Sequence, residues 1–357
     1  MRARKTAAVE TTLDTGHTNR SQGRQVRKIL TGQGFTLGLV VVLLLAYWFP
    51  EHGLKDGALR TGHTTKVAVV AIFFLQGLNL SGSALRRGVT TWKLHFFTLV
   101  FGFVFLPLAT WFCVERSWVP EGVAPGLVFL AILPTTISTS VVYSSASGGD
   151  AAAATFGAAL SNLLGIFAVP AWTAWLIFPR LEPAVDGGSE GEFMAYFLWR
   201  LFWLIAVPLF SGLFARRFLL RLVEGKEAWL RNACFGCVLF IAYAGFCKGF
   251  SEGSALLDGR FFGQVCLWTC AFLGFSNLTA VLALKLSRFN WPQVITGFFA
   301  ASQKSLAVGL PMGYLLFGQE HPRLFAILLP LILFHPLQLL LGAALCSRLR
   351  RSSDQMR

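Results

Sequence analysis

The sequence predicts an all-α, polytopic membrane protein with ten transmembrane helices. Three observations carry that expectation. Of the 357 residues, 55% are hydrophobic and 13% are charged, about half the charged share of an ordinary soluble domain. The apolar residues fall into ten stretches, near 33–50, 65–82, 92–113, 124–143, 152–178, 193–216, 229–249, 262–284, 292–317 and 323–346, each able to supply the roughly 20 residues that a bilayer core requires. The stretches are polar on no consistent face, as the helices of a large soluble core would be.

The basic residues then fix the topology. Of 31 Lys and Arg, 21 fall on the two tails and on alternate loops, among them Arg2, Arg27, Arg86, Arg216, Lys285 and Arg351. Eight fall on the opposite loops, and Arg200 and Lys304 lie within spans. By the positive-inside rule both termini are cytoplasmic and the number of spans is even. The net charge of +14 is thereby explained as topology, without nucleic acid as a partner. The expected organisation is a basic cytoplasmic tail (1–32), a first five-helix half (33–178), an acidic outer loop (179–192), a second five-helix half (193–346) and a second basic tail (347–357). The first 30 residues lack the apolar core of a secretory signal and are expected to lie near anionic lipid headgroups. The host membrane is a plasma membrane or a bacterial inner membrane.

Enzymatic chemistry finds no footing. Cys234 and Cys237 have CxxC spacing, and Cys266 and Cys270 sit one turn apart. Both pairs lie in apolar helices without a His or carboxylate cluster, so packing explains them better than metal or redox chemistry. His335, before Pro336, reads as a hydrogen-bonded residue at a kink. No nucleophile elbow, P-loop or metal-ligand spacing is present, and no cofactor is expected.

The fourth and ninth stretches are interrupted. Leu133–Asp150 (LPTTISTSVVYSSASGGD) and Ala300–Met312 (AASQKSLAVGLPM) are polar runs with a proline or a charge inside lipid-compatible sequence. Broken polar helices at membrane depth are tolerated only where they are buried in protein or line a cavity. A matched pair, one per half, points to the binding site of a secondary transporter. The candidate crossover residues are Thr135, Thr136, Ser138, Thr139 and Ser140 with Ser302, Gln303, Lys304 and Ser305. Pro134 and Pro311 lack the N–H of a regular helix and help explain the breaks. A lysine at this depth costs on the order of 3 kcal/mol and faces a cavity or a partner. Asp150 is the nearest carboxylate in the fourth stretch. Gln76 and Asn79, near the end of the second helix, are either substrate contacts or polar caps, and Arg200 either binds an anion or snorkels to the interface.

Five strings occur in order: FFLQGLNLS (73–81), LPTTISTSVV (133–142), SGGDAAAATF (147–156), ASQKSLAVGLPM (301–312) and FGQEHPRLFAILLPLILFHPLQLLLG (317–342). Together they resemble the bile acid:sodium symporter superfamily, in the branch of the seventh vertebrate sodium/bile acid cotransporter and its bacterial and fungal relatives. The resemblance covers about residues 35–347. It implies two inverted five-helix repeats, a panel domain of helices one, two, six and seven, and a core of the other six in which helices four and nine unwind and cross. It also implies symport of an organic, anionic solute by alternating access with sodium as coupling ion. The pattern is not kept throughout. Ser140 stands where the family has an asparagine ligand. Ala154 and Ala158 replace hydroxyl residues, leaving Thr155, Ser161 and Asn162 as nearby polar groups. The acidic ligand of the ninth helix aligns with Phe298, and a glutamine of the third with about Phe103. A surviving sodium site would fall on Thr139, Ser140 and Ser302. Lys304 supports a second coupling, in which its ammonium replaces a lost sodium ion and its deprotonation carries a proton; the plainer reading is that it only stabilises the crossover. A different class also stays open, since relatives of this branch are linked to calcium homeostasis: a non-transporting membrane regulator of cation (calcium) levels. Substrate identity and oligomeric state are left open by the sequence.

Overall fold

The computed structural model describes residues 34–79, 89–181, 190–251 and 258–355, and these are helical with short connections and no β-strand. The first tail, 1–32, and residues 182–189 of the acidic loop lie outside the described residues. In chain order the helices are α1 (Gly34–Trp48), α2 (Thr61–Asn79), α3 (Trp92–Glu115), α4 (Ala124–Ile132), α5 (Ile137–Ala146) and α6 (Ala151–Arg180). They continue with α7 (Glu190–Val223), α8 (Glu227–Ser251), α9 (Gly259–Leu286), α10 (Trp291–Ser302), α11 (Leu306–Phe317) and α12 (Leu324–Gln355).

Six of these are long and apolar enough to cross a membrane: α3, α6, α8, α9, the Phe202–Leu219 part of α7 and the Leu324–Cys346 part of α12. The pair α4–α5, bent by 63° at its break, makes a seventh. Large apolar side chains such as Trp48, Trp92, Phe96, Trp175, Phe214 and Leu286 point outward, a surface that suits acyl chains and not water. The protein is an integral, multi-pass membrane protein. The second expected stretch, 65–82, is displaced in its described part: α2 starts at Thr61, where the Thr61 hydroxyl donates to Gly53 O at 3.0 Å.

Packing separates the helices into two groups. In one, α2 lies against α7 and α8, and α8 against α1. In the other, α4 and α9 lie against α12, α10 against α9, and α5 against α6. Contacts of α8 with α11 and α12, and of α7 with α6, join the groups. Without a hydrophobic force between helices in lipid, close packing depends on small residues at the seams. The α2–α7 seam shows this reciprocally. A Cβ on Gly77 would sit 2.1 Å from Leu209 O, and one on Gly212 would sit 2.1 Å from Phe74 O. The two backbones touch, and only hydrogen fits between them.

Two breaks organise the second group. The first separates α4 from α5, with Leu133 and Thr136 extended. Pro134 lies inside it, has no N–H to give, and disfavours helical geometry at Leu133. The second separates α10 from α11, with Gln303 extended at φ −88°, ψ 145° and Ser305 as the N-cap of α11. Here the expectation needs correction. Pro311 lies inside α11, beyond its first turn, and the chain is already helical from Leu306. This break is set by side-chain and backbone bonds at Gln303–Ser305, not by a missing proline N–H.

Replacing Gly212 by leucine is expected to cost about 2 kcal/mol or more by overpacking the α2–α7 seam, while Gly236→Leu, where no atom lies within 4 Å of the new Cβ, leaves the melting temperature near that of the parent. Equal losses in the two variants would remove the seam as a source of stability.

Candidate functional site

The site grows out of an accounting of backbone groups at the two breaks, because in an apolar interior each one needs a partner. The breaks meet directly: Ser305 N–H donates to Pro134 O at 2.9 Å. Thr135 N–H, which in an unbroken helix would bond Ala131 O, donates to Ser161 Oγ of α6 at 3.2 Å. Asn162 Nδ2 donates to Thr135 O at 3.0 Å. Thr139 Oγ1 donates across the crossing to Gln303 Oε1 at 2.8 Å. On the other side Gln338 of α12 clamps Lys304 by its backbone: Lys304 N–H donates to Gln338 Oε1 at 2.9 Å, and Gln338 Nε2 donates to Lys304 O at 2.8 Å.

Two carbonyls of the first break remain, and a third comes from α3. Ala131 O has lost its helical partner to Ser161. Leu133 O faces the chain break before Ile137. In α3, residues Phe101–Phe105 form a π turn in which Leu106 N–H bonds Phe101 O. The next donor along would be residue 107, which is Pro107, so Gly102 O is left over as well. All three carbonyls converge on the ammonium of Lys304: Nζ donates to Ala131 O at 2.6 Å, Leu133 O at 2.8 Å and Gly102 O at 3.2 Å. The side chain is 1% exposed. Three acceptors call for three donors, which the ammonium form alone possesses. The Ala131 and Leu133 carbonyls also form the negative end of the α4 dipole, which adds to the attraction.

The remaining expected residues divide plainly. Ser302 Oγ turns back to Phe298 O at 2.8 Å, and Ser305 Oγ accepts from Val308 N–H at 3.3 Å as a cap. The hydroxyls of Thr135 and Ser140 are buried without a hydrogen-bond partner among the described residues, two unused oxygens beside the crossing. No hydrogen bond among the described residues joins Thr139, Ser140 and Ser302 to one another. Thr136 is buried at the start of α5 without capping it, and Ser138 is half-buried. Thr155 bonds its own helix at Ala151 O, 2.7 Å away, and stays apart from the crossing network. Gln76 lies beside the Cys234 thiol of α8, inside the first packing group. Asn79 ends α2, where Arg216 donates to the neighbouring Leu78 O. The side chain of Arg200 lies outside the described residues. Asp150 is no partner for Lys304. It is the N-cap of α6, with Oδ1 accepting from Ala152 and Ala153 N–H at 2.8 and 3.0 Å. A narrow crevice between α9, α10 and α12 reaches the crossing, with Asn277, Ser302, Gln303 and Gln338 as its polar residues and Phe298 in its wall.

Gln338 was missed by sequence reasoning, although it is a lone amide in an apolar helix, one turn after His335. His335 Nδ1 lies 3.1 Å from Gln338 Nε2, and its ring meets Phe35 of α1 edge-on at 5.3 Å.

Comparison with known proteins fits this geometry into a family. Residues 33–351 match the model of the SBF-like CPA transporter family. The chain is similar to sodium/bile acid cotransporter 7 of Danio rerio, 33% identical over 323 residues, covering 87% of this chain and 91% of that protein. It is 34% identical over 325 residues to sodium/bile acid cotransporter 7-A of Xenopus laevis, covering 88% and 91%. An uncharacterized protein of Pseudomonas aeruginosa is 32% identical over 331 residues, covering 90% and 93%.

Lys304→Met keeps the length and the burial but removes all three donors. Stranding buried carbonyls costs about 1–3 kcal/mol each, so a loss of about 3 kcal/mol or more is expected, read as a drop of several degrees in melting temperature. Lys304→Arg does not restore it, because a planar fork cannot serve three acceptors converging on one point. A Met variant as stable as the parent would mean that the carbonyls do not depend on the ammonium.

Proposed function

The chain belongs to the SBF-like CPA transporter family, and from that premise we propose that it is a secondary active transporter which moves an organic, anionic solute by alternating access, coupled to sodium or protons. In this reading the helices form ten spans in two inverted five-helix repeats with both termini cytoplasmic. The packing group of α1, α2, α7 and α8 serves as the panel, and the remaining helices as the core. The observation that carries the proposal is the junction of the two broken helices, bonded from Ser305 N–H to Pro134 O and closed by the Lys304 ammonium on three freed carbonyls. Broken helices that meet in this way leave polar backbone where a solute and an ion can be exchanged. The names of the Danio and Xenopus relatives support sodium and an organic solute.

The site's own chemistry supports two couplings. The unpartnered hydroxyls of Thr135 and Ser140, with Thr139 and Ser302 nearby, offer oxygen to a sodium ion. The caged ammonium supports a proton instead. Loss of one proton leaves an amine with two donors facing three carbonyls, so the cage loosens and the crossing is freed. The surplus positive charge favours an anionic solute beside it. A second reading has its own observation: every donor of Lys304 is used in a filled cage, which suits a non-transporting membrane regulator of cation levels equally well.

The test is thermal stability of the purified protein in sodium, potassium and choline chloride across a pH series, repeated on Lys304→Ala. A pH dependence of the melting temperature that disappears in Lys304→Ala is the result expected if the coupling runs through the Lys304 proton. A sodium-specific rise in melting temperature would assign the coupling to sodium. If neither effect appears, ion-coupled transport loses its support and the regulator reading takes its place.

A further inference from the structure

One residue outside the crossing joins the two packing groups, and the proposed function makes no use of it. Gly318 ends α11 at φ +76°, a left-handed geometry that glycine adopts freely. The turn aims Gln319 away from α11 and α12 and onto the other group. Gln319 Nε2 donates to Thr61 Oγ1 of α2 at 2.7 Å. Thr65 Oγ1, whose proton goes to Thr61 O, also faces Gln319 Oε1 at 3.4 Å. Lys248, near the end of α8, donates from Nζ to Gln319 O at 2.6 Å. Thr61 and Thr65 are buried, one turn apart on one face of α2. The neighbouring Lys55–Glu320 pair, at 3.9 Å and with both side chains more than half exposed, contributes little.

Beneath Gln319 the described seam between α8 and α11–α12 is apolar. A Cβ on Gly245 would meet Tyr314 Oη at 2.6 Å, and one on Gly249 would meet the Phe325 ring at 2.9 Å. The Tyr314 hydroxyl has no hydrogen-bond partner among the described residues. The glycines bring α8 close to α11 and α12 without tying them together. At this end of the molecule the tie is Gln319.

We propose that Gln319 is a gate residue: with Thr61, Thr65 and Lys248 it latches the α2–α8 edge to the α11–α12 corner and closes the outer end of the path to the crossing. The proposal rests on the alternating-access reading for its purpose, since the two groups must part at this end for an outside solute to reach the crossing. The latch itself is a structural claim, and its release is measurable without any solute or ion.

Val69 lies one turn beyond Thr65 on the same face of α2 and is 1% exposed. In the full-length purified protein, Val69→Cys serves as a reporter, read as the rate of labelling by a water-soluble maleimide above the background of the seven native cysteines. With Gln319 in place, labelling is expected to be slow. Adding Gln319→Ala makes it at least about tenfold faster, the factor that losing one or two net hydrogen bonds provides. Thr61→Val does the same from the other side of the bond, while Thr61→Ser, which keeps the hydroxyl, labels as slowly as the parent. Unchanged labelling in both Gln319→Ala and Thr61→Val, each melting near the parent temperature, overturns the latch. So does fast labelling in Thr61→Ser as well, which would mean that bulk at position 61, not the bond, holds the seam. Fast labelling in Gln319→Ala without any ion or pH response of the parent would keep the gate and remove the transport reading. Slow labelling with such a response would do the reverse.

Discussion

The bonding of one ammonium to three backbone carbonyls holds the centre of this structure together. Breaking two helices inside a membrane strands peptide groups with no water to satisfy them, and most of these find partners on neighbouring helices: Ser161, Asn162, Gln338 and Ser305 take one or two each. The carbonyls of Gly102, Ala131 and Leu133 are left, and Lys304 takes all three. A charge in this position would be prohibitive alone. Here the groups that make the charge tolerable are the same groups that would be intolerable without it. Three separate sequence features make this pocket: Pro107 frees one carbonyl, Pro134 ends α4 to free two more, and the chain break at Gln303–Ser305 lets Lys304 reach them.

That arrangement makes the middle of the molecule polar and closely tied, while seams both within and between the packing groups are held by shape. Gly77 and Gly212 bring α2 and α7 into backbone contact, and Gly245 and Gly249 let α8 rest on Tyr314 and Phe325. Packing in lipid without directional bonds leaves surfaces that can separate and close again at modest cost. Directional bonds across such a seam, as at Gln319, then decide which arrangement is held. His335 extends the tie of the crossing toward the other group, through Gln338 on one side of its ring and Phe35 of α1 on the other.

Six of the expected spans, the bent α4–α5 pair and both breaks were legible in the sequence, because long apolar runs, and hydroxyls or a charge inside them, have few other physical explanations. The sequence also singled out Lys304. It did not reveal what Lys304 bonds to. Asp150, the nearest carboxylate in the fourth stretch, instead caps α6, since Asp at that position satisfies the first N–H groups of a helix. The true partners are carbonyls, which every residue carries and no side-chain pattern marks. Pro107 was the available signal: a proline in an apolar helix leaves one carbonyl without its donor. Pro311 misled for the opposite reason, being accommodated within α11. Gln338 and Gln319 were present in the strings that carried the family resemblance, yet a lone amide announces a need for partners without saying where they are.

The same cage constrains how any coupling can work. A sodium ion held by such carbonyls can bind from one side and leave on the other. A lysine cannot leave, because its ammonium is tied to the backbone of the crossing by the side chain itself and by Gln338 at its own N–H and C=O. What the caged lysine itself can release is its proton, and releasing it removes one of three donors from three carbonyls. Two outcomes remain for a crossing built in this way. Either proton loss loosens the cage and lets the helices around it rearrange, or the ammonium stays and the crossing is a fixed structural joint. The geometry around Lys304 therefore ties the rigidity of the crossing to the fate of a single proton.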